Sequence, residues 1–204
     1  MLRRFIHSGH VRRHGGFTLI EVMVSTAIFS MVMVIALGAL LALSEADRKA
    51  QTLNTAVNNM GSALDSMSRA IRTGVSYYCG SGGNYGDVYD CQSSPGTYLS
   101  FVASDGTHVA YCLDNSSGVG IIKREIRPAS NNVLDSSCNT PGFVPLTPPD
   151  VNITRLSFYV VGSSKSDQLQ PKVTILLSGS VQVTATQSSV FNIQSTVTQR
   201  IYDQ

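Results

Sequence analysis

Glu21 is a lone charge in an apolar run. From Phe17 to Leu43 the chain reads FTLIEVMVSTAIFSMVMVIALGALLAL. A carboxylate deep in hydrocarbon costs about 2.5–3.5 kcal/mol on insertion scales, so an ionisable side chain there points to a function and wants a cationic partner. The other chemistry-bearing residues make no catalytic set. His7, His10 and His14 lie among arginines with no acid or cysteine beside them, which is no preorganised metal site. The remaining histidine, His108, is four residues from Cys112 in a strand-like stretch. On a strand the two share a face but stand about 13 Å apart, too far for a base and its nucleophile. That reading makes His108 a surface or half-buried strand residue. GxSxG, HExxH and P-loop patterns do not occur. Asp87, Asp90 and Asp114 match no calcium-loop spacing. The expectation is therefore a non-enzyme with no metal and no cofactor.

Cys79, Cys91, Cys112 and Cys138 are even in number, form no CxxC and have intervals of 12, 21 and 26. These intervals do not resemble a zinc finger, whereas disulfides suit an oxidising compartment. Three connectivities are open. The favoured one is Cys79–Cys91 with Cys112–Cys138, each bridge closing a Gly/Ser- or Pro-rich loop.

The charge balance separates the leader from the rest. The chain has 15 basic and 13 acidic residues among 204. Four of the basic ones (Arg3, Arg4, Arg12, Arg13) lie in the first sixteen residues, which hold no acid; the remainder carries 11 basic against 13 acidic. The basic character is thus a property of the leader and argues against nucleic-acid binding elsewhere. Lys123, Arg124 and Arg127 form one small cluster, read as a solvated strand edge that blocks pairing. Val22 to Ser44 carry no charge over 23 residues, enough for a helix of about 34 Å to cross the hydrocarbon core. Arginines before the run, and Glu45 and Asp47 after it, leave residues 1–16 in the cytoplasm and export the chain beyond Leu43.

The string Gly15-Gly16-Phe17-Thr18-Leu19-Ile20-Glu21, with a basic leader before it and an apolar run after it, resembles the processing motif of type IV pilin-like proteins. That family includes pilins, the pseudopilins of type II secretion and DNA-uptake pilins. The resemblance implies cleavage between Gly16 and Phe17 by a membrane-embedded prepilin peptidase, followed by N-methylation of Phe17. It also implies pairing of Glu21 with the N-terminal amine of a neighbouring subunit. The chemistry is coherent by itself. Cleavage creates an ammonium close to Glu21 in sequence, and both charges are costly in an apolar filament core unless paired. A neighbour displaced along the axis supplies the opposite charge, so Glu21 sets register as well as stabilising. Glycine before the cut lets extended backbone approach the protease.

These residues need one long helix to position them. No proline occurs before Pro95. Beyond the apolar run Leu53, Val57, Met60, Leu64, Met67 and Ile71 recur at helical steps, an amphipathic stripe. One helix is expected from about Phe17 to Arg72, stopped at Gly74. Gly38 inside it is either a weak point for extension or a site of close helix packing. The composition then turns to Ser, Gly, Thr, Val and Tyr. Loops are expected at 74–96 and 128–149. Strands are expected at Thr97–Ala103, Thr107–Leu113, Val119–Ile126, Val151–Val161, Lys172–Ser178, Val181–Thr186 and Val190–Ile201. Asn115-Ser116-Ser117 and Asn152-Ile153-Thr154 are sequons, relevant only in a host that modifies them.

The order of elements predicts an α+β class. It also resembles the pilin-like fold, with a long N-terminal helix packed on a C-terminal antiparallel β-sheet head. The expected parts are a removed leader (1–16), a transmembrane and filament-core helix (17–44), an amphipathic continuation (45–73) and an exported β-rich head (74–204). Ser68-Arg69-Ala70-Ile71-Arg72-Thr73-Gly74 and the late strands near Arg200 resemble a minor pilin or J-type minor pseudopilin. The resemblance implies a structural subunit of a type IV pilus or type II secretion pseudopilus. It would move from the inner membrane into a periplasmic or cell-surface filament. Its implied partners are other pilin-like subunits, the prepilin peptidase, an inner-membrane assembly platform and, before assembly, lipid. The competing reading is an uncleaved, single-pass anchored receptor or adhesin.

Overall fold

The structure is a computed structural model and describes residues 15–164, 167–183 and 187–200. The leader through residue 14 and Ile201, the expected end of the last strand, lie outside the described residues. Helix α1 spans Leu19–Thr73. Two compact units are distinguished, one ending at Asp47 and one beginning at Arg48.

In the first unit the apolar stretch of α1 is exposed all round. It is long and apolar enough to cross a membrane. Two of its hydroxyls are satisfied locally: Thr26 Oγ1 donates to the carbonyls of Val22 or Met23 at 3.0 Å, and Ser30 Oγ to that of Ala27 at 2.9 Å.

In the second unit the rest of α1 packs with eight strands. β1 (Val75–Tyr78), β2 (Tyr98–Val102), β3 (His108–Asp114), β4 (Ile121–Arg127) and β5 (Phe143–Pro145) form one antiparallel sheet in that order. β6 (Val151–Val161), β7 (Lys172–Gln182) and β8 (Ser188–Thr198) form a second antiparallel sheet. This is the α+β, pilin-like arrangement, with the strands divided between two sheets. Met60, Met67 and Ile71 of α1 share one buried cluster with Leu99, Phe101, Tyr111 and Ile122 of the first sheet and Phe158, Val160 and Ile175 of the second. Full burial of such side chains stabilises by roughly 1.5–3 kcal/mol each.

The structure corrects several expectations. Val57 is 57% exposed, and Ala56, at 3%, takes its place in the buried stripe. The steps 53, 56, 60, 64, 67 and 71 keep the helical period equally well, and alanine allows the closer approach. Val75–Tyr78, read as loop, pairs with β2 through an irregularity at which Ser76 has φ 56°. Phe143–Pro145, also read as loop, is a short strand on β4. The strand expected at Lys172–Ser178 and the first two residues of the one expected at Val181–Thr186 are one strand, β7, which runs through Gly179; residues 184–186 lie outside the described residues. A Cβ at Gly179 would lie 2.8 Å from the Asn152 carbonyl oxygen and 2.6 Å from the Phe191 ring. This glycine marks a close approach and not a break.

Gly74 ends the helix for a similar reason. A Cβ there would meet the Phe101 ring at 2.4 Å. The Gly74 N–H donates to the Ile71 carbonyl at 3.1 Å, which closes the last turn.

Candidate processing site and the two-sheet unit

The local sequence places the Gly16–Phe17 bond outside the helix. Gly15 to Thr18 are irregular and α1 begins at Leu19. The Glu21 N–H donates to Thr18 Oγ1 at 3.3 Å and the Val22 N–H to the Thr18 carbonyl at 3.2 Å. Thr18 is therefore the N-cap, with Glu21 three residues on, in capping-box spacing. Phe17 is 83% exposed. Glu21 is exposed in the first helical turn, where a carboxylate favours the helix dipole. No cation lies within ion-pair distance of it among the described residues. The site thus offers an exposed peptide bond and an unpaired carboxylate four residues beyond it.

The four cysteines are joined as Cys79–Cys91 and Cys112–Cys138, with Cα separations of 5.9 and 6.1 Å. The first bridge joins the end of β1 to the segment whose Cys91 N–H donates to the Val160 carbonyl at 3.1 Å. The second holds the 128–142 segment over the face of the first sheet that α1 leaves uncovered. A second buried cluster fills that face, with Tyr85, Tyr98, Ala110, Cys112, Leu134 and Phe143.

His108 is on this face and is 6% exposed, which corrects the half-buried reading. Its Nδ1 is 2.7 Å from the Asn131 carbonyl oxygen, and its ring stacks on Tyr85 at 4.4 Å. These contacts consume the imidazole structurally. Glu125 beside it is 0% exposed, ion-paired with Arg127 at 2.8 Å and approached by the Tyr85 hydroxyl at 3.4 Å. Arg127 also pairs with Asp135. Burial pushes the Tyr85 and Tyr98 phenols well above their ordinary value, so both are neutral.

The basic cluster is not a solvated edge. β4 lies between β3 and β5, and the period of two divides the cluster. Lys123 and Arg127 face the loop-covered side and Arg124 the other. Lys123 Nζ is 2.6 Å from Asp114 Oδ2. Its hydrogen bond, with help from the Ser116 N–H and against the upward push of burial, lowers the Asp114 carboxyl to about 2.

The three aspartates raised as calcium candidates have separate tasks. Asp87 accepts from the Asn84 N–H at 3.2 Å. Asp90 accepts from the Gly162 and Ser163 N–H groups at 2.9 and 3.0 Å. No group of three or more metal-ligating side chains occurs among the described residues. Asn152 of the second sequon is engaged too, accepting from the Gly120 N–H at 2.8 Å.

The missed structural residues are Thr18 and Tyr77. A threonine three positions before a glutamate was a readable signal for the first. For Tyr77, whose hydroxyl caps the helix end from a neighbouring strand, no local signal existed.

Comparison with known families finds one match: residues 11–43 fit the prokaryotic N-terminal methylation motif. No curated protein and no solved structure matches the chain. The matched stretch contains the Gly16–Phe17 bond, Glu21 and the apolar first half of α1. It is the prepilin signature of type IV pilin-like proteins, which are structural subunits and not enzymes. The motif implies processing by a prepilin peptidase and assembly with other pilin subunits, and it fits an inner-membrane anchor that later enters a filament.

Proposed function

We propose that this protein is a structural subunit of a type IV pilus or type II secretion pseudopilus. The precursor is cut after Gly16, Phe17 is N-methylated, and the mature chain leaves the membrane for a helical filament. The carrying observation is the match at residues 11–43, together with a scissile bond held outside the helix by the Thr18 cap. Glu21 pairs with the new ammonium of a neighbouring Phe17. The pairing removes the penalty of two isolated charges in an apolar core and selects one register along the axis. The apolar first half of α1 spans the inner membrane before assembly and lines the filament afterwards. The head lies outside the membrane, where the four cysteines remain oxidised. An assembly platform and a separate ATPase drive the process. In its narrower form the proposal makes this a minor subunit, on the resemblance of Ser68–Gly74 to that subgroup.

The test is the N-terminal mass of the protein recovered from its native membranes. A chain beginning at N-methylated Phe17 is expected. Glu21→Ala is expected to be processed yet nearly absent from sheared filaments. An intact Met1 leader in cells with an active prepilin peptidase would overturn the proposal.

A further inference from the structure

β8 is an open sheet edge among the described residues. It pairs with β7 alone, over eleven consecutive positions without irregularity. Ser188 to Gln199 contain no charge, proline or glycine. Edges left free for long normally carry lysine, proline or a bulge to prevent pairing, and this one has none. Its C-terminal end meets a basic corner. Arg200 lies just beyond the strand, and its N–H donates to the Arg72 carbonyl at 2.8 Å; Lys172 is opposite Thr198. Arg72, Lys172 and Arg200 are exposed, and none has an ion pair among the described residues. Arg72 also suits the C-terminal dipole of α1, which leaves Lys172 and Arg200 without an ion-pair partner among the described residues. The nearby Asp65 is taken by Arg69 at 2.7 Å; Asp167 of the β6–β7 turn, like Asp87 and Asp90, accepts backbone N–H groups and has no basic partner among the described residues.

Among the described residues, the opposite side of the same transverse row is acidic. Thr198 is opposite Lys172 and Lys172 opposite Val161. The next residue, Gly162, donates to Asp90. Asp87 and Asp90 are exposed, lack a basic partner among the described residues and flank the exposed Val88 and Tyr89. A lateral displacement along this row, without rotation, brings the acidic corner of one molecule to the basic corner and open β8 edge of the next.

We infer that the Arg72/Lys172/Arg200 corner docks the Asp87–Asp90 corner of a second copy of this chain. The contact is head-to-tail: the two patches differ, so each copy offers one and receives the other. Such contacts propagate an open row or helix instead of closing a dimer. The inference deepens the proposed filament reading and rests on it for its biological setting, in the form where copies of this chain are neighbours and not in the narrower minor-subunit form.

The contact itself is read on the full chain in detergent micelles, by sedimentation at low and high salt. Wild type is expected to self-associate at low salt. Lys172→Glu/Arg200→Glu and, separately, Asp87→Lys should each raise the dissociation constant about tenfold. A mixture of the two variants should associate again, because both contacts between unlike variants then pair opposite charges, one native and one swapped; neither variant alone should. Mixed samples no tighter than the single variants, or salt-independent association, would overturn the inference. The N-terminal mass is measured on the same material. An uncut leader refutes the filament reading, whereas a cut chain without charge-swap rescue refutes only this contact. In cells, sheared filament yield should fall in both variants and recover when all three substitutions share one chain. A subunit present only as isolated copies would show no such effect, which also overturns the inference.

Discussion

The Tyr77 hydroxyl lies 2.6 Å from the carbonyl oxygen of Ile71 and 2.7 Å from that of Gly74. The single hydroxyl proton of this β1 side chain is shared between the Ile71 carbonyl, which also accepts from the Gly74 N–H, and the Gly74 carbonyl just beyond the helix. The sharing takes place at a fully buried position, where an unmet acceptor is costly. The contact joins the end of the helix to the beginning of the first sheet.

Tyr77→Phe keeps the ring and its packing against Phe101 and deletes only the hydroxyl. The expected loss is about 1–2 kcal/mol. Urea unfolding followed by near-ultraviolet circular dichroism measures it, and an unchanged midpoint would show that water replaces the contact.

Gly179→Ala is expected to destabilise the second sheet by about 1–3 kcal/mol, because its Cβ has backbone on one side and an aromatic ring on the other. Gly61→Ala is the control. A Cβ there meets nothing within 4 Å, and the helix should gain about 1 kcal/mol. Equal responses of the two variants would refute the packing argument.

Removing the Cys112–Cys138 bridge by Cys112→Ser/Cys138→Ser should lower stability by about 3–4 kcal/mol in the chain-entropy model. The same change should expose the 128–142 segment to protease before the rest of the head. A non-reducing peptide map of the parent protein checks the pairing first; Cys112 linked to Cys79 or Cys91 would contradict the structure.

Asp114 supplies an acid-dependent part of the stability. Its folded value near 2 lies below the ordinary value of about 3.9. The stabilisation is therefore complete above about pH 4 and is lost as pH falls towards about 2. Asp114→Asn should be less stable than the parent at neutral pH and should show a shallower decline through that window. Parallel urea-midpoint curves for the two proteins would exclude the Lys123–Asp114 pair as the cause.

Much of this protein was legible along the chain because its signals are local. Gly16, Phe17 and Glu21 are read from one short string, and the long helix from uninterrupted apolar character giving way to a period of 3.6. β2, β3, β4 and β6 appeared close to their observed limits, since alternating apolar residues and turn residues at Ser104-Asp105-Gly106 act over a few positions. The tertiary structure decided the features that depend on a distant partner. Ala56 and Val57 fit the helical period equally well, and only the packed sheet selected the smaller residue. β1 and β5 are too short to carry a periodicity and exist because β2 and β4 offer them hydrogen bonds. Gly179 read as a break until the Asn152 carbonyl and Phe191 ring beside it explained the missing side chain. In sequence His108 reads as a surface or half-buried residue and Arg127 as part of a solvated edge, but the segment held down by Cys138 buries His108 and partly covers Arg127. The charged corners at Asp87–Asp90 and at Arg72, Lys172 and Arg200 are far apart along the chain. They share a row only because three strands pair in register, a long-range hydrogen-bonding relation that no local pattern encodes.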